Sequence, residues 1–206
     1  MGYLINKTTT MSNIYLDSVI KQFQYYKMLA DKTFPHINDE AFHWQYNDDS
    51  NSIAMIVSHL SNNMLSRFTD FLTTDGEKAW RNRDLEFEPQ LSTKEELINK
   101  WNEGWDCLFD AISSLSETDL NQIVYIRNEG HTVTAAINRQ LAHYPYHIGQ
   151  IVMLGKMLAN KQWQSLSIPK GKSQAYNAEK FAKPQQEVHF TDEFLNQNHE
   201  ARNKSI

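Results

Sequence analysis

The sequence predicts an all-α protein: a four-helix bundle with a long crossover between the second and third helices and an irregular C-terminal tail. Four stretches repeat apolar residues with a helical period. A polar connection too long for a tight turn separates the second and third stretches, and the last forty residues are polar with no sustained apolar period. We therefore expect residues 1–165 to form the bundle and residues 166–206 to form a polar extension.

The first two helices have recognisable start and stop signals. The first is predicted to begin near Ser12, a favourable N-cap residue, and to end at Pro35. The second follows the cap candidates Ser50 and Asn51 and is predicted to run to Leu72. Its apolar stripe comprises Ile53, Val57, Leu60, Met64, Phe68 and Phe71.

The third helix opens with a capping box, formed either by Ser92 with Glu95 or by Thr93 with Glu96. The connection before it, residues 73–92, is too polar for a core element and long enough to cross the end of a bundle. The second and third helices are therefore expected to run parallel. One face of the third helix carries Leu97, Trp101, Trp105, Leu108, Ile112 and Leu115.

The fourth helix is predicted over residues 132–159, and the segment before it predicts a short hairpin around Asn128, Glu129 and Gly130. Pro145 lies inside this helix and removes one backbone hydrogen bond. Two explanations of a proline at this position are open: a bend that serves a functional site, or a kink that the helix simply tolerates.

Composition excludes several classes of protein. The chain has 206 residues, a net charge of −5 and scattered basic residues, so we expect neither a nucleic acid nor a membrane as partner. No apolar run is long enough to span a bilayer, and the first residues lack the apolar core of a signal peptide. A single cysteine, Cys107, excludes an internal disulfide and a cysteine-built zinc site. We expect a cytoplasmic protein.

His143 and His147 are the most informative pair of residues, because a spacing of four stacks two imidazoles on one face of a helix. On a helical projection they lie roughly 80° and 40° from the edge of the apolar stripe, at the rim of the buried face. Two such histidines form half of a metal site, although a hydrogen-bonded pair remains an alternative. No glutamate lies between them, so the zinc-protease motif is absent.

His59 is the best candidate for a third ligand. With Asn63 and Arg67 it forms a polar row on the second helix, and Arg139, His143 and His147 form a similar row on the fourth. Two such rows on neighbouring helices would form a polar pocket in which a bundle can hold a metal. Periodicity alone supports His59 weakly, and an exposed or hydrogen-bonded histidine is the alternative.

Other residues point to structure or surface. Cys107 lies at the flank of the third helix with no neighbouring base, which indicates a structural thiol. Residues 81–84, Arg-Asn-Arg-Asp, are interpreted as solvated surface. The remaining histidines lie in loops and in the tail and are weaker ligand candidates: His36, His43, His131, His189 and His199.

Three stretches of the chain resemble the DinB-like, or YfiT-like, metal-binding four-helix bundles: SHLSNNMLSRFTDFLTTDGEK, QLAHYPYHIGQIVMLGKML and LSIPKGKS. The resemblance covers roughly residues 12–175 and is closest to a branch of uncharacterised function. It implies that His59, His143 and His147 bind a divalent ion. It also implies a homodimer, which the abundant aromatic residues outside the helix stripes favour as well.

The resemblance fixes the reaction less well than the metal site. Relatives include low-molecular-weight thiol S-transferases and isomerases that use bacillithiol or mycothiol, and others are described as metal-dependent hydrolases. Zinc and nickel both suit imidazole ligands. The expected function is a metal-dependent enzyme acting on a small-molecule thiol and an electrophile, with hydrolysis or a structural or sensing metal as alternatives. The candidate substrate contacts are Asn63, Arg67, Tyr144 and Gln150.

Overall fold

The computed structural model describes residues 14–89, 92–159 and 163–196. Four long helices pack into a bundle, as predicted, and a small antiparallel hairpin precedes the last of them. The helices are α1 (Ile14–Thr33), α2 (Asp39–His43), α3 (Ile53–Phe68), α4 (Lys94–Ser113), α5 (Val133–Leu158) and α6 (Ser173–Phe181). The hairpin strands are β1 (Ile123–Ile126) and β2 (Glu129–Thr132), and short 3₁₀ helices cover Phe34–His36, Asp84–Phe87 and Glu117–Asn121.

Side-chain caps define where the long helices begin. Ser52 accepts a hydrogen bond from the Met55 amide at the start of α3, and Thr132 does the same for the Ala135 amide at the start of α5. At α4 the capping box is the one between Thr93 and Glu96. The predicted start of the first helix near Ser12 lies outside the described residues.

The end of α3 differs from the prediction. The helix ends at Phe68, although the apolar pattern predicts it to continue to Leu72. Asp70 adopts a left-handed backbone conformation with a φ of 49°, which an α-helix cannot contain. Phe71 therefore packs against the core from a turn that follows the helix.

The direction of each helix follows from its contacts with α1 and α3. Along α1 and α5, contacts run from Tyr15 with Asn138 to Thr33 with Gly155, so these helices are parallel. The α1 and α4 helices are antiparallel, because Asp31 bonds to Trp101 while Phe23 packs against Trp105.

The predicted parallel arrangement of the second and third long helices is confirmed. Near the middle of α3, Ser61 lies against Gly104 of α4, and just past the end of α3 the Thr69 hydroxyl lies 3.6 Å from the Cys107 sulfur. A β-carbon on Gly104 would lie only 3.1 Å from the Ser61 backbone, so glycine allows the two helices to approach closely. The long connection between them is the crossover that this topology requires.

The predicted hairpin also forms. Ile126 pairs with Glu129, and the two residues of its turn, Arg127 and Asn128, both have positive φ angles of 56° and 62°. This is the backbone of a two-residue turn whose twist matches that of the strands. Asp75 of the crossover accepts hydrogen bonds from both turn amides, so the hairpin is attached to the crossover.

The C-terminal extension packs against α1 of the same chain. Rings of Phe190 and Phe194 contact Tyr25, and Asp192 pairs with Lys21 at 2.7 Å. Thr191 has no exposed surface. Within the described part of the extension, α6 and a short helical turn at residues 192–196 are regular. The predicted boundary at residue 165 stays a prediction.

Of the helices that the structure describes, none combines the length and the low polarity that crossing a bilayer requires. The cytoplasmic location stays a prediction.

We expect Gly155→Ala to lower the free energy of unfolding by about 1–2 kcal/mol. A β-carbon at this position would overlap the methyl group of the buried Thr33, and overpacking costs more than the roughly 1 kcal/mol that alanine gains in helix propensity. Gly149→Ala is the matched control, because nothing lies within 4 Å of a β-carbon at that position of the same helix. It should stabilise the protein slightly. Urea unfolding of both variants checks this, and a shift of both in the same direction would contradict it.

Candidate metal centre

Three imidazoles converge between α3 and α5. One ring nitrogen from each of His59, His143 and His147 lies within 4.8 Å of the other two. The ring centroids form a nearly equilateral triangle with sides of 4.9, 5.0 and 5.3 Å. Nε2 of His59 and Nε2 of His143 are 3.3 Å apart. This distance equals the edge of a tetrahedron whose centre lies about 2.0–2.1 Å from each nitrogen, as in zinc sites.

The hydrogen bonds of His59 and His143 determine where their protons lie. Nδ1 of His59 faces a carboxylate oxygen of Glu86 at 2.8 Å, so this nitrogen donates. Nδ1 of His143 faces the amide oxygen of Gln140 at 3.2 Å and donates as well. A neutral imidazole with its proton on Nδ1 carries its lone pair on Nε2, so two such Nε2 atoms at this distance can bind one cation. A cation between the two nitrogens would be bound by both.

Burial keeps His143 and His147 neutral. It lowers the pKa of His143 to about 3 and that of His147 to about 4, and the charges of the neighbouring histidines lower both further. Neutral imidazole is the form that binds a metal ion. Nδ1 of His147 is buried and has no hydrogen-bond partner among the described residues, so the donor set fits a divalent ion.

Glu86 and Arg81 form a buried ion pair behind His59. The Arg81 guanidinium donates to both carboxylate oxygens of Glu86, at 2.7 and 2.9 Å. The side chains of Arg81 and Glu86 are only 1% and 2% exposed. Burial opposes ionisation of Glu86, but the hydrogen bonds from His59 and Arg81 outweigh it and hold its pKa below the usual range. A carboxylate in this position orients an imidazole ligand and increases its basicity.

The three imidazoles form one wall of an open cavity of about 420 Å³. Residues of the polar row of α3 and of the polar row of α5 both line it. The crossover and the hairpin complete the lining, which consists of Asn51, His59, Asn63, Arg67, Arg81, Arg83, Phe87, Arg127, Arg139, His143 and His147.

The candidate substrate contacts occupy different positions. Asn63 and Arg67 line the cavity. Tyr144 has no exposed surface, and its hydroxyl donates to Oδ1 of Asn63 at 2.9 Å, so its contact with the cavity runs through Asn63. Gln150 lies beside the His147 imidazole and is not part of the lining.

Arg67 is held firmly by the protein itself. Its guanidinium donates to the carbonyl oxygen of Gly76 and contacts the carboxylate of Glu77 at 3.2 Å. Its side chain is 6% exposed. Arg67 therefore attaches the crossover to α3 as well as lining the cavity.

Sequence reasoning missed the contribution of the crossover. Its polarity predicts a solvated segment, whereas Arg81, Glu86 and Phe87 all lie at the site. The polar residues can be buried because each charge meets an opposite charge or a histidine. No periodic pattern marks them, since they belong to a loop and a single turn of 3₁₀ helix.

The other described histidines lie elsewhere. His189, for example, lies 3.0 Å from the Ser18 hydroxyl and connects the extension to α1. His36 packs against Trp163. His199 lies outside the described residues.

A helical bundle in which three imidazoles meet at a cavity is a candidate metal-binding bundle. A family model described as "Protein of unknown function (DUF1572)" matches residues 10–172, and the chain belongs to this family. Comparison with curated proteins and with solved structures gave no match.

We expect Tyr144→Phe to lower the free energy of unfolding by about 1–3 kcal/mol, because Oδ1 of Asn63 would lose its buried hydrogen-bond donor. Tyr146→Phe is the matched control two residues further along α5, since Tyr146 is 66% exposed. It should change stability by less than about 0.5 kcal/mol. Denaturant titration measures both, and equal effects would show that the hydroxyl of Tyr144 contributes nothing.

Proposed function

We propose that the protein binds one divalent metal ion, zinc or nickel, through His59, His143 and His147, and that it is a thiol S-transferase of the low-molecular-weight type. The observation that carries the proposal is the position of the three imidazoles on the wall of an open cavity. Catalytic zinc sites have three protein ligands and an open position, whereas structural sites have four protein ligands. Among the described residues no fourth histidine, cysteine or carboxylate joins this cluster.

A divalent ion held by these residues would lower the pKa of a thiol or of water and so would supply a nucleophile near neutral pH. The residues of the chain would position the reactants. His59, with Glu86 and Arg81 behind it, keeps its Nδ1 proton and directs Nε2 towards the ion. Asn63, whose orientation is set by Tyr144, and Arg67 offer polar contacts to a bound molecule.

Two observations favour an external thiol. Cys107 is the only cysteine of the chain, and it lies against Thr69 away from the cavity lining. Burial raises the pKa of the Cys107 thiol, which makes it a poor nucleophile. The resemblance to DinB-like proteins, some of which use bacillithiol or mycothiol, points in the same direction.

In the proposed transfer every bond that forms is matched by a bond that breaks. The thiol gives its proton to water, its sulfur forms a bond to an electrophilic carbon, and the leaving group departs with the electron pair of the bond that breaks. Hydrolysis of an ester or amide at the same site is the second candidate. The same open cavity would admit water as the nucleophile.

Thiol transfer can be tested directly. Zinc-loaded or nickel-loaded protein should accelerate the reaction of bacillithiol, glutathione or coenzyme A with a chromogenic electrophile. His143→Ala should lose this acceleration because it removes a ligand. His43→Ala, a histidine outside the cavity, should retain it.

Equal rates for His143→Ala and the unsubstituted protein with every thiol would reject the transferase. The assay should then be repeated with a chromogenic ester. Hydrolysis that depends on His143 would support the second candidate, and its absence would leave a structural or sensing metal.

We expect Glu86→Gln to weaken metal binding roughly 10- to 100-fold, the usual effect of removing a carboxylate that orients a histidine ligand. Asp84→Asn removes the same charge from the same 3₁₀ helix at an exposed position and is the matched control. Competition titration against a zinc-sensitive dye measures both affinities. Equal affinities would show that Glu86 has no role in holding His59.

We also propose that the protein forms a homodimer. The resemblance implies it, and α5 carries three exposed apolar side chains on one face, Tyr146, Met153 and Met157, which are 52–66% exposed. Light scattering should therefore give about twice the chain mass of 24.1 kDa. Met153→Glu should shift the protein towards the monomer, because it places a charge in the apolar face. A monomer at micromolar concentration before substitution would contradict the proposal.

A further inference from the structure

Most arginines of the chain line the cavity beside the imidazoles. The sequence contains six arginines, and five of them line this cavity: Arg67, Arg81, Arg83, Arg127 and Arg139. None of the lysines that the structure describes lines it. Arginine presents a planar fork of donors that matches a carboxylate or a phosphate, whereas lysine presents a point charge. The selection of arginine over lysine therefore indicates recognition of acid groups rather than general positive charge.

The five arginines come from separate parts of the chain. Arg67 belongs to α3 and Arg139 to α5, Arg81 and Arg83 belong to the crossover, and Arg127 lies in the turn of the hairpin. Only the fold brings them together. A sequence-local run of basic residues would not produce this arrangement.

The protein compensates these charges only in part. Glu86 pairs with Arg81, and Glu77 contacts Arg67 and Arg127 at 3.2 and 3.1 Å. No carboxylate belongs to the cavity lining. Five guanidinium groups against two carboxylates leave an excess of three positive charges, in a chain whose net charge is −5.

The arginines divide into two groups by burial. Arg67 and Arg81 are buried and hold the crossover in place. Arg83, Arg127 and Arg139 are exposed at the cavity. Among the described residues Arg83 contacts the ring of Phe87 at 5.0 Å and no carboxylate, and no carboxylate pairs with Arg139. Like charges gathered in this way repel one another, so they offer binding capacity rather than stability.

We propose that the cavity binds a small molecule carrying at least two negative charges, as phosphate or carboxylate groups, and that Arg83, Arg127 and Arg139 hold its acid groups. The volume of about 420 Å³ suits a small molecule. This proposal rests on the proposed function in one respect: the bound anion is a substrate of the same site. The acid groups bind at the arginines, and the reacting part of the molecule lies towards the three imidazoles.

Anion binding can be measured without the metal and without activity. Metal-free protein is titrated calorimetrically with pyrophosphate, citrate and acetate at constant ionic strength. Pyrophosphate or citrate should bind and acetate should not, because a single charge engages only part of the cluster. Arg139→Gln and Arg83→Gln should each weaken binding about tenfold, the effect of losing one charge-assisted hydrogen bond.

The control variant is Lys156→Gln, which removes an exposed positive charge from α5 outside the cavity and should leave binding unchanged. Arg139→Lys keeps the charge and removes the fork, and it should still weaken binding. Arg83 and Arg139 are exposed, so these variants should fold normally, which circular dichroism verifies.

The outcomes separate the two proposals. Binding of pyrophosphate alone identifies a phosphate ligand, and binding of citrate alone identifies a carboxylate ligand. If neither binds, or if the arginine variants bind as well as Lys156→Gln, the proposal is overturned. A parallel zinc titration measures the metal site separately, so anion binding without zinc binding would refute the proposed function and the role of the anion as its substrate, and would leave only anion binding by the arginines standing.

Discussion

The site depends on one geometric constraint: the Nε2 atoms of His59 and His143 face each other at 3.3 Å in the interior of a helical bundle. Glu86 and Gln140 impose it, because each accepts the proton of the opposite ring nitrogen. A cation bound between these nitrogens would meet ligands that the protein has already oriented. The bundle supplies the energy to hold it through a core of large aromatic side chains, which includes Phe23, Trp101, Trp105 and Tyr144.

Topology explains how the surrounding residues reach the imidazoles. Because α3 and α4 are parallel, the chain must return along the length of the bundle between them. That return segment brings Arg81 and Glu86 behind His59, and Asp75 attaches it to the hairpin that carries Arg127. A bundle with short antiparallel connections would have no segment to place there. The crossover is therefore part of the site and not only a connection.

The sequence predicted the elements that have a periodic pattern of apolar residues. Apolar stripes predicted the four helices, the capping box of Thr93 and Glu96 was one of two options, and the length of residues 73–92 predicted the parallel pair. Loop residues carry no period, so burial of Arg81 and Glu86 was not predictable. The early end of α3 depends on the left-handed backbone conformation of Asp70, which the apolar pattern does not predict. For the imidazoles, spacing indicated His143 and His147, while His59 needed the resemblance.

X-ray absorption at the zinc edge tests the central claim most directly. Protein loaded with one equivalent of zinc should show nitrogen ligands at about 2.0–2.1 Å with the multiple-scattering pattern of three imidazoles. His59→Ala should lose one imidazole from that pattern or fail to retain the metal. Spectra without imidazole scattering, or identical spectra for His59→Ala and the unsubstituted protein, would contradict the three-histidine centre.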